Sequence, residues 1–320
     1  MKPVLLSLLN TTEHDIKSLS PYYEVITVKS LDDGLALPQE TLARVEALFG
    51  SATRAVSTEF LDALPNLKVI SSFGVGFDPY DEAYITSRKI RLGYTPDVLN
   101  DCVADLAFAL ILDCARQISA SDRYVREGRW VTEGIFPLGV QVSGKRLGIV
   151  GLGRIGLEIA ERAKGFRMEI LYHNRKPRTD VDYRYVDSLI ELAKQSDFLI
   201  VATPGGPETA KLINQEVLEA LGPEGYLINI ARGVVVDEEA LVAALQSRAI
   251  AGAGLDVFVN EPHVPPALFE LDNVTLCPHI ASATIETRGA MRNLVIENFI
   301  HFAQHGEVKV AVPWANYSEN

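Results

Sequence analysis

Of the six histidines in this 320-residue sequence, His279 occupies the position best suited to proton chemistry. It follows Val274-Thr275-Leu276-Cys277-Pro278, an apolar run that predicts a strand ending just before it. Histidine exchanges a proton readily near neutral pH. Two other apolar runs end on charged groups. Tyr226-Leu227-Ile228-Asn229-Ile230-Ala231 delivers Arg232, and Ala253-Gly254-Leu255-Asp256-Val257-Phe258 leads on to Glu261. Ligands of open α/β sheets bind beyond the carboxyl ends of the strands. Arg232, Asp256, Glu261 and His279 are therefore expected to converge. A carboxylate beside His279 would keep it an acid. Arg232 would clamp a carboxylate and polarise the carbonyl next to it. Such a set suits hydride transfer to a carbonyl, with the histidine protonating the developing alkoxide. The other histidines suit it less. His173 belongs to an earlier strand, His14 and His263 to polar loops, and His301 and His305 to an exposed helix face. No metal site is expected.

A hydride needs a carrier. Gly151-Leu152-Gly153-Arg154-Ile155-Gly156 directly follows the strand-like Arg146-Leu147-Gly148-Ile149-Val150 and opens an amphipathic stretch. In that setting G-x-G-x-x-G reads as a dinucleotide fingerprint. Gly151 permits the tight turn, Gly153 admits the pyrophosphate, and Gly156 lets helix and strand pack closely. The helix N-terminus offers free N–H groups to the phosphates. The end of the next strand selects the cofactor. An acid there would bind a ribose 2′-hydroxyl. The sequence has Asn174-Arg175-Lys176 instead. That cluster attracts a 2′-phosphate, so NADP(H) is expected in preference to NAD(H).

These residues need a framework, and the hydropathy pattern supplies one. Strand-like runs at 4–9, 25–28, 55–57, 69–72 and 90–92 alternate with helical candidates at 38–49 and 58–64. A long helical stretch at 100–119 follows. A second strand series runs 146–150, 168–173, 198–202, 226–230, 252–257 and 274–277, and a helical stretch closes it at 282–304. The alternation predicts parallel sheets covered by helices. The apolar start at 4–9 imitates a signal peptide, yet no small-residue cleavage site follows, so a buried first strand is expected.

Thirty basic against 42 acidic residues leave a net charge of −12, which argues against sequence-independent nucleic-acid binding. Three unpaired-looking cysteines suit a reducing cytoplasm. No apolar run is long enough for a membrane span.

With these motifs in order, the sequence resembles the D-isomer-specific 2-hydroxyacid dehydrogenase family over nearly its whole length. Phe73-Gly74-Val75-Gly76-Phe77-Asp78 resembles that family's substrate loop. The resemblance implies an α/β fold of two Rossmann-like, doubly wound parallel-sheet domains with a cleft between them. The substrate domain would comprise 1–98 and 286–320, the dinucleotide domain 99–285. It implies Arg232, Glu261 and His279 as catalytic residues, with Val75 and Gly76 amides holding the substrate carboxylate. Ser282 and Arg288 would stand on the substrate side. To the cofactor contacts it adds Leu152, Arg154, Ile155, Thr203, Pro204, Thr209, Ile230, Asp256 and Ala281, beside Arg232 and His279.

Within the family the cluster after the second strand resembles NADPH-preferring glyoxylate/hydroxypyruvate reductases, whose products are D-2-hydroxy acids. Hydroxyphenylpyruvate reductases, NAD-dependent phosphoglycerate-type dehydrogenases and nucleotide-sensing corepressors are the alternatives. A homodimer is implied, built largely through the cofactor domains, with Trp130 and Phe136 in its interface, closing a neighbour's active site, or in the core. Two departures stand out. Thr203-Pro204-Gly205-Gly206-Pro207-Glu208-Thr209 carries two glycines where the family has a Pro-Leu-Thr type segment. Cys102 replaces a threonine that contacts cofactor phosphate, and its thiol is a weak donor.

Overall fold

The computed structural model describes residues 1–314, so the end of the expected substrate-domain segment 286–320 lies outside the described residues. The chain divides into two compact units. Met1–Leu99 and the segment from Thr284 onward form one, and Asn100–Ala283 the other. Each contains one wholly parallel sheet.

The first unit begins β1 (Val4–Ser7), α1 (Glu13–Leu19), β2 (Glu24–Thr27), α2 (Leu31–Leu35), α3 (Gln39–Leu42) and β3 (Val45–Ser51). It continues α4 (Thr58–Asp62), β4 (Val69–Phe73), α5 (Glu82–Ser87) and β5 (Arg91–Gly93). The strand order is β2-β1-β3-β4-β5. The apolar start of the chain is a buried inner strand, with Val4, Leu5 and Leu6 fully covered.

One stretch departs from the sequence reading. Residues 38–49 were expected to be helical and 55–57 a strand, but the helix ends at Leu42 and the strand is Val45–Ser51. Val45, Ala47, Leu48 and Phe49 are fully buried between β1 and β4. A strand covered on both faces loses its alternation, so its spacing imitates a helix.

The second unit runs α6 (Asn100–Arg116), α7 (Ile118–Arg126), α8 (Arg129–Thr132), β6 (Arg146–Val150), α9 (Arg154–Gly165), β7 (Glu169–His173), β8 (Arg184–Tyr185) and α10 (Leu189–Lys194). It continues β9 (Phe198–Val201), α11 (Gln215–Leu221), β10 (Tyr226–Asn229), α12 (Glu238–Gln246), β11 (Gly252–Leu255) and β12 (Val274–Leu276). The order is β12-β11-β10-β9-β6-β7-β8, and the chain reverses its winding between β6 and β9. The helical stretch expected at 100–119 breaks at Gln117, whose φ of 51° is left-handed.

The last helix, α13 (Ile285–His305), starts at the Thr284 cap and packs in the first unit. Its Val295, Ile296 and Phe299 join Leu5, Phe49 and Val69 in one apolar cluster. Buried Asn298 donates to Ser71 Oγ and the Tyr94 carbonyl, and accepts the Val310 amide. The following segment returns along β5, where the Val312 amide donates to the Leu92 carbonyl.

Candidate active site

The fingerprint turn lies where the second sheet reverses, the crevice expected to take a ligand. Gly151 has a φ of 98°, and a Cβ there would stand 2.8 Å from the Thr203 nitrogen. A Cβ on Gly156 would stand 2.4 Å from the Gly151 carbonyl oxygen. Gly153 differs: it caps α9, and a Cβ on it would meet nothing within 4 Å. Two glycines are thus required by packing, and the third leaves open space at a helix N-terminus. That cradle at a helix N-terminus fits a dinucleotide pyrophosphate.

The segment after β7 is fastened to this turn. Asn174 Oδ1 accepts the Leu152 amide at 2.7 Å, and Arg178 Nη1 donates to the Leu152 carbonyl at 3.1 Å. Asn174 therefore braces the turn through its oxygen. Arg175 projects outward and pairs with Glu208 at 2.7 Å. Sequence reasoning missed both Arg178 and Glu208; their partners lie 26 and 33 residues away in the chain. His173 hydrogen bonds the Val186 carbonyl and stacks on Tyr185, a structural use of that ring.

Thr203 and Pro204 lie beyond β9. Thr209 closes their loop, its hydroxyl donating to the Pro204 and Gly206 carbonyls. The loop is thus closed even though it carries two glycines. Gly205 faces Arg232, and a Cβ there would stand 2.8 Å from Arg232 Cγ. Arg232 follows a turn stapled by buried Asn229, which accepts the Ala231 amide and donates to the Arg232 carbonyl. Gly233 leaves no room for a side chain, since a Cβ would fall 2.0 Å from the Phe258 carbonyl carbon. Ile230, buried beside this turn, donates its amide to the Val201 carbonyl.

His279 Nδ1 lies 2.7 Å from Glu261 Oε2, and both side chains are about a quarter exposed, at 26% and 29%. With Nδ1–H donating to the carboxylate, Nε2 is left to handle a proton. Burial pushes the Glu261 carboxyl up. The hydrogen bonds from His279 and the Phe258 amide, with the charges of His279 and Arg232, outweigh it and hold Glu261 below its usual range. Glu261 is thus ionised at neutral pH.

His279 itself has a φ of 54°, a left-handed backbone unusual for a histidine. Fully buried Asp256 holds that turn. Its two oxygens accept the Ile280 and Ala281 amides at 2.7 and 2.9 Å, and its carbonyl accepts the His279 amide. Burial raises the Asp256 carboxyl, and the two amides offset this only in part. Cys102 Sγ adds a contact to the Ala281 carbonyl at 2.9 Å, so it braces the same turn.

Val75 and Gly76 lie in the first unit, past β4. Thr95 pins Gly74, accepting its amide on the side-chain oxygen and donating its own amide to the Gly74 carbonyl. The next two amides, Val75 and Gly76, have no hydrogen-bond partner among the described residues. Arg288, on α13, places its guanidinium carbon 5.3 Å from the centre of the Phe73 ring. Phe77 packs edge-on against Tyr94 and Trp314. Ser282 stands near the end of the second unit. Among the described residues no group of three or more His, Cys, Asp or Glu is arranged to hold a metal, and no helix is long and apolar enough to cross a membrane.

Residues 108–281 match the family described as "D-isomer specific 2-hydroxyacid dehydrogenase, NAD binding domain". The chain belongs to the D-isomer-specific 2-hydroxyacid dehydrogenase family. The hydroxyphenylpyruvate reductase of Plectranthus scutellarioides is 49% identical over 272 residues, covering 85% of this chain and 86% of its own. The glyoxylate reductase of Pyrococcus horikoshii is 42% identical over 320 residues, covering 96% and 95%. An NADPH-dependent glyoxylate/hydroxypyruvate reductase of Sinorhizobium meliloti, solved with NADP and malonate, superposes with a TM-score of 0.92 at 41% identity, covering 98% and 97%. The chain is an oxidoreductase with two parallel-sheet α/β domains and a nicotinamide cofactor.

Proposed function

We propose that this dehydrogenase reduces small 2-oxo acids, glyoxylate and hydroxypyruvate foremost, to 2-hydroxy acids of D configuration, using NADPH. The His279–Glu261 pair carries the reading, because it provides a held proton donor at the carboxyl edge of β11 and β12. When bound, the reduced nicotinamide would supply the hydride to the carbonyl carbon. His279 Nε2 gives its proton to the carbonyl oxygen, and Glu261 stabilises the imidazolium beforehand. Arg232 pairs with the substrate carboxylate and draws electron density from the carbonyl. Val75 and Gly76, whose amides have no hydrogen-bond partner among the described residues, are assigned to substrate binding, as are Ser282 and Arg288. Residues 100–283 are the cofactor-binding unit, and the other unit binds substrate.

NADPH is favoured over NADH because the turn after β7 holds Arg175 and Lys176 and no acid. The S. meliloti relative, named as NADPH-dependent, supports the same choice. Leu152, Gly153, Arg154 and Ile155 would hold the pyrophosphate at the α9 N-terminus. Thr203, Pro204, Ile230 and Ala281 would line the nicotinamide side. Thr209 and Asp256, already engaged with backbone, would serve there as braces.

A homodimer is supported by Ile118, Val125, Trp130, Val131, Ile135 and Leu138, large apolar side chains exposed within one 21-residue stretch. Phe136 instead packs on Tyr124. Three cysteines, none of them in a disulfide, accord with a cytoplasmic setting. 4-Hydroxyphenylpyruvate is a second candidate, favoured by the Plectranthus relative. The deciding experiment measures kcat/KM for glyoxylate, hydroxypyruvate and 4-hydroxyphenylpyruvate with NADPH and with NADH. Absence of turnover on all three would defeat the reading.

A further inference from the structure

We infer that Glu208 tunes cofactor choice by sharing Arg175 with the ribose 2′-phosphate and by offering a carboxylate to a free 2′-hydroxyl. This rests on the NADP(H) reading and extends it. NAD-binding sites carry an acid at the end of the second strand of the fingerprint unit. Here that place is Asn174, whose carboxamide oxygen is committed to the Leu152 amide. Yet a carboxylate is present at the same corner. Glu208 reaches in from the loop after β9 and meets Arg175 at 2.7 Å.

Both partners stand on braced backbone. The Asn174 carbonyl accepts the Tyr185 hydroxyl, and Thr209, next to Glu208, is tied to Pro204 and Gly206. The pair therefore opens by side-chain rotation alone. At 88% and 78% exposure it is solvated, and exposed pairs of this kind are weak. A 2′-phosphate, more highly charged and with three acceptor oxygens, takes Arg175 from the carboxylate. Glu208 then remains close to the phosphate and opposes it. With NAD(H) the charges reverse their roles: Arg175 stays with Glu208, and the ribose hydroxyl can donate to the carboxylate. One ion pair thus keeps both cofactors admissible while favouring the phosphorylated one.

The test measures binding to the substrate-free protein by calorimetry or by quenching of intrinsic fluorescence. The probes are NADPH, NADH, adenosine 2′,5′-bisphosphate and 5′-AMP. For Glu208→Ala we expect NADPH and the bisphosphate to bind about two- to five-fold more tightly, the range an exposed ion pair spans. NADH should bind no more tightly than before. Glu208→Gln should reproduce the gain for the phosphorylated probes. An unchanged ratio of NADPH to NADH affinity, or equal shifts for both, overturns the inference. Arg175→Ala separates this failure from failure of the underlying reading. If that variant leaves the bisphosphate affinity intact, Arg175 does not read the phosphate. If it loses about ten-fold while the Glu208 variants change nothing, only the role of Glu208 falls.

Discussion

Gly205 lies against Arg232 so closely that a methyl group on its α-carbon would stand 2.8 Å from Arg232 Cγ. Gly205 is therefore part of how the guanidinium is aimed. Gly205→Ala should push the Arg232 side chain aside. We expect the KM for the oxo acid to rise about ten-fold, as for a displaced charge-assisted contact, with NADPH affinity unchanged. Steady-state kinetics beside a cofactor titration check this; an unaltered KM would refute it.

His279 and Glu261 should separate chemistry from binding. His279→Gln removes the proton donor, and kcat should fall by about 10²-fold or more. Glu261→Gln leaves the imidazole without its carboxylate and should also lower kcat. Both variants should retain NADPH affinity. Full turnover in His279→Gln would dismiss this histidine as the acid.

Asp256→Asn tests the turn that carries His279. Asparagine offers one oxygen where the Ile280 and Ala281 amides use two. One buried amide then faces an NH2 group, at a cost of about 1–3 kcal/mol. The melting temperature and kcat should fall together, because the left-handed backbone at His279 loses its tether. A normal melting temperature would show that the turn needs no such support.

The fingerprint glycines should not behave alike. Gly153→Val adds a side chain in open space, so the fold should persist while NADPH binding weakens by at least about ten-fold. Gly156→Ala puts a methyl 2.4 Å from the Gly151 carbonyl oxygen and should instead destabilise the protein. Thermal melts and cofactor titrations on both variants distinguish the two roles.

A pH test comes from Asp197, which accepts the Arg146 amide at 2.8 Å and its guanidinium at 2.9 Å. Burial raises its pKa, but the Arg146 bonds outweigh this and lower it below the ordinary 3.8. A depressed carboxyl stabilises the fold above its unfolded value and loses that contribution as pH falls through the folded one. Asp197→Asn should therefore melt lower than the parent at pH 7. The gap should close as pH falls from the ordinary 3.8 through the depressed folded value, below which both side chains are neutral. A gap independent of pH would point to packing instead.

Much of the site was legible in the sequence because each part ends a strand. The fingerprint, Arg232, Asp256, Glu261 and His279 all follow short apolar runs, and parallel sheets gather such ends along one edge. What escaped detection depends on distant pairing. Glu208 reaches Arg175 across 33 residues, and nothing local to either marks the pair. The composition of the 203–209 loop, with two glycines, is permissive, yet a single threonine hydroxyl closes it. In the fold, β3 was missed for the opposite reason. It is so thoroughly buried that the alternation by which strands are recognised is absent.

The membership of α13 in the first unit bears on the order in which the newly made chain can fold. Residues 100–283 separate Leu99 from the helix that completes its core, a stretch of 184 residues. At about 5–20 residues per second, synthesis of that stretch takes roughly 10–40 s. Throughout that time β4 and β3 have emerged but lack Phe299 and Val295, and Ser71 lacks Asn298. The second unit, by contrast, carries its whole sheet within one uninterrupted stretch. The half of the molecule that is made first is thus the half that must wait, its apolar surface exposed in the interval to chaperones and to neighbouring nascent chains.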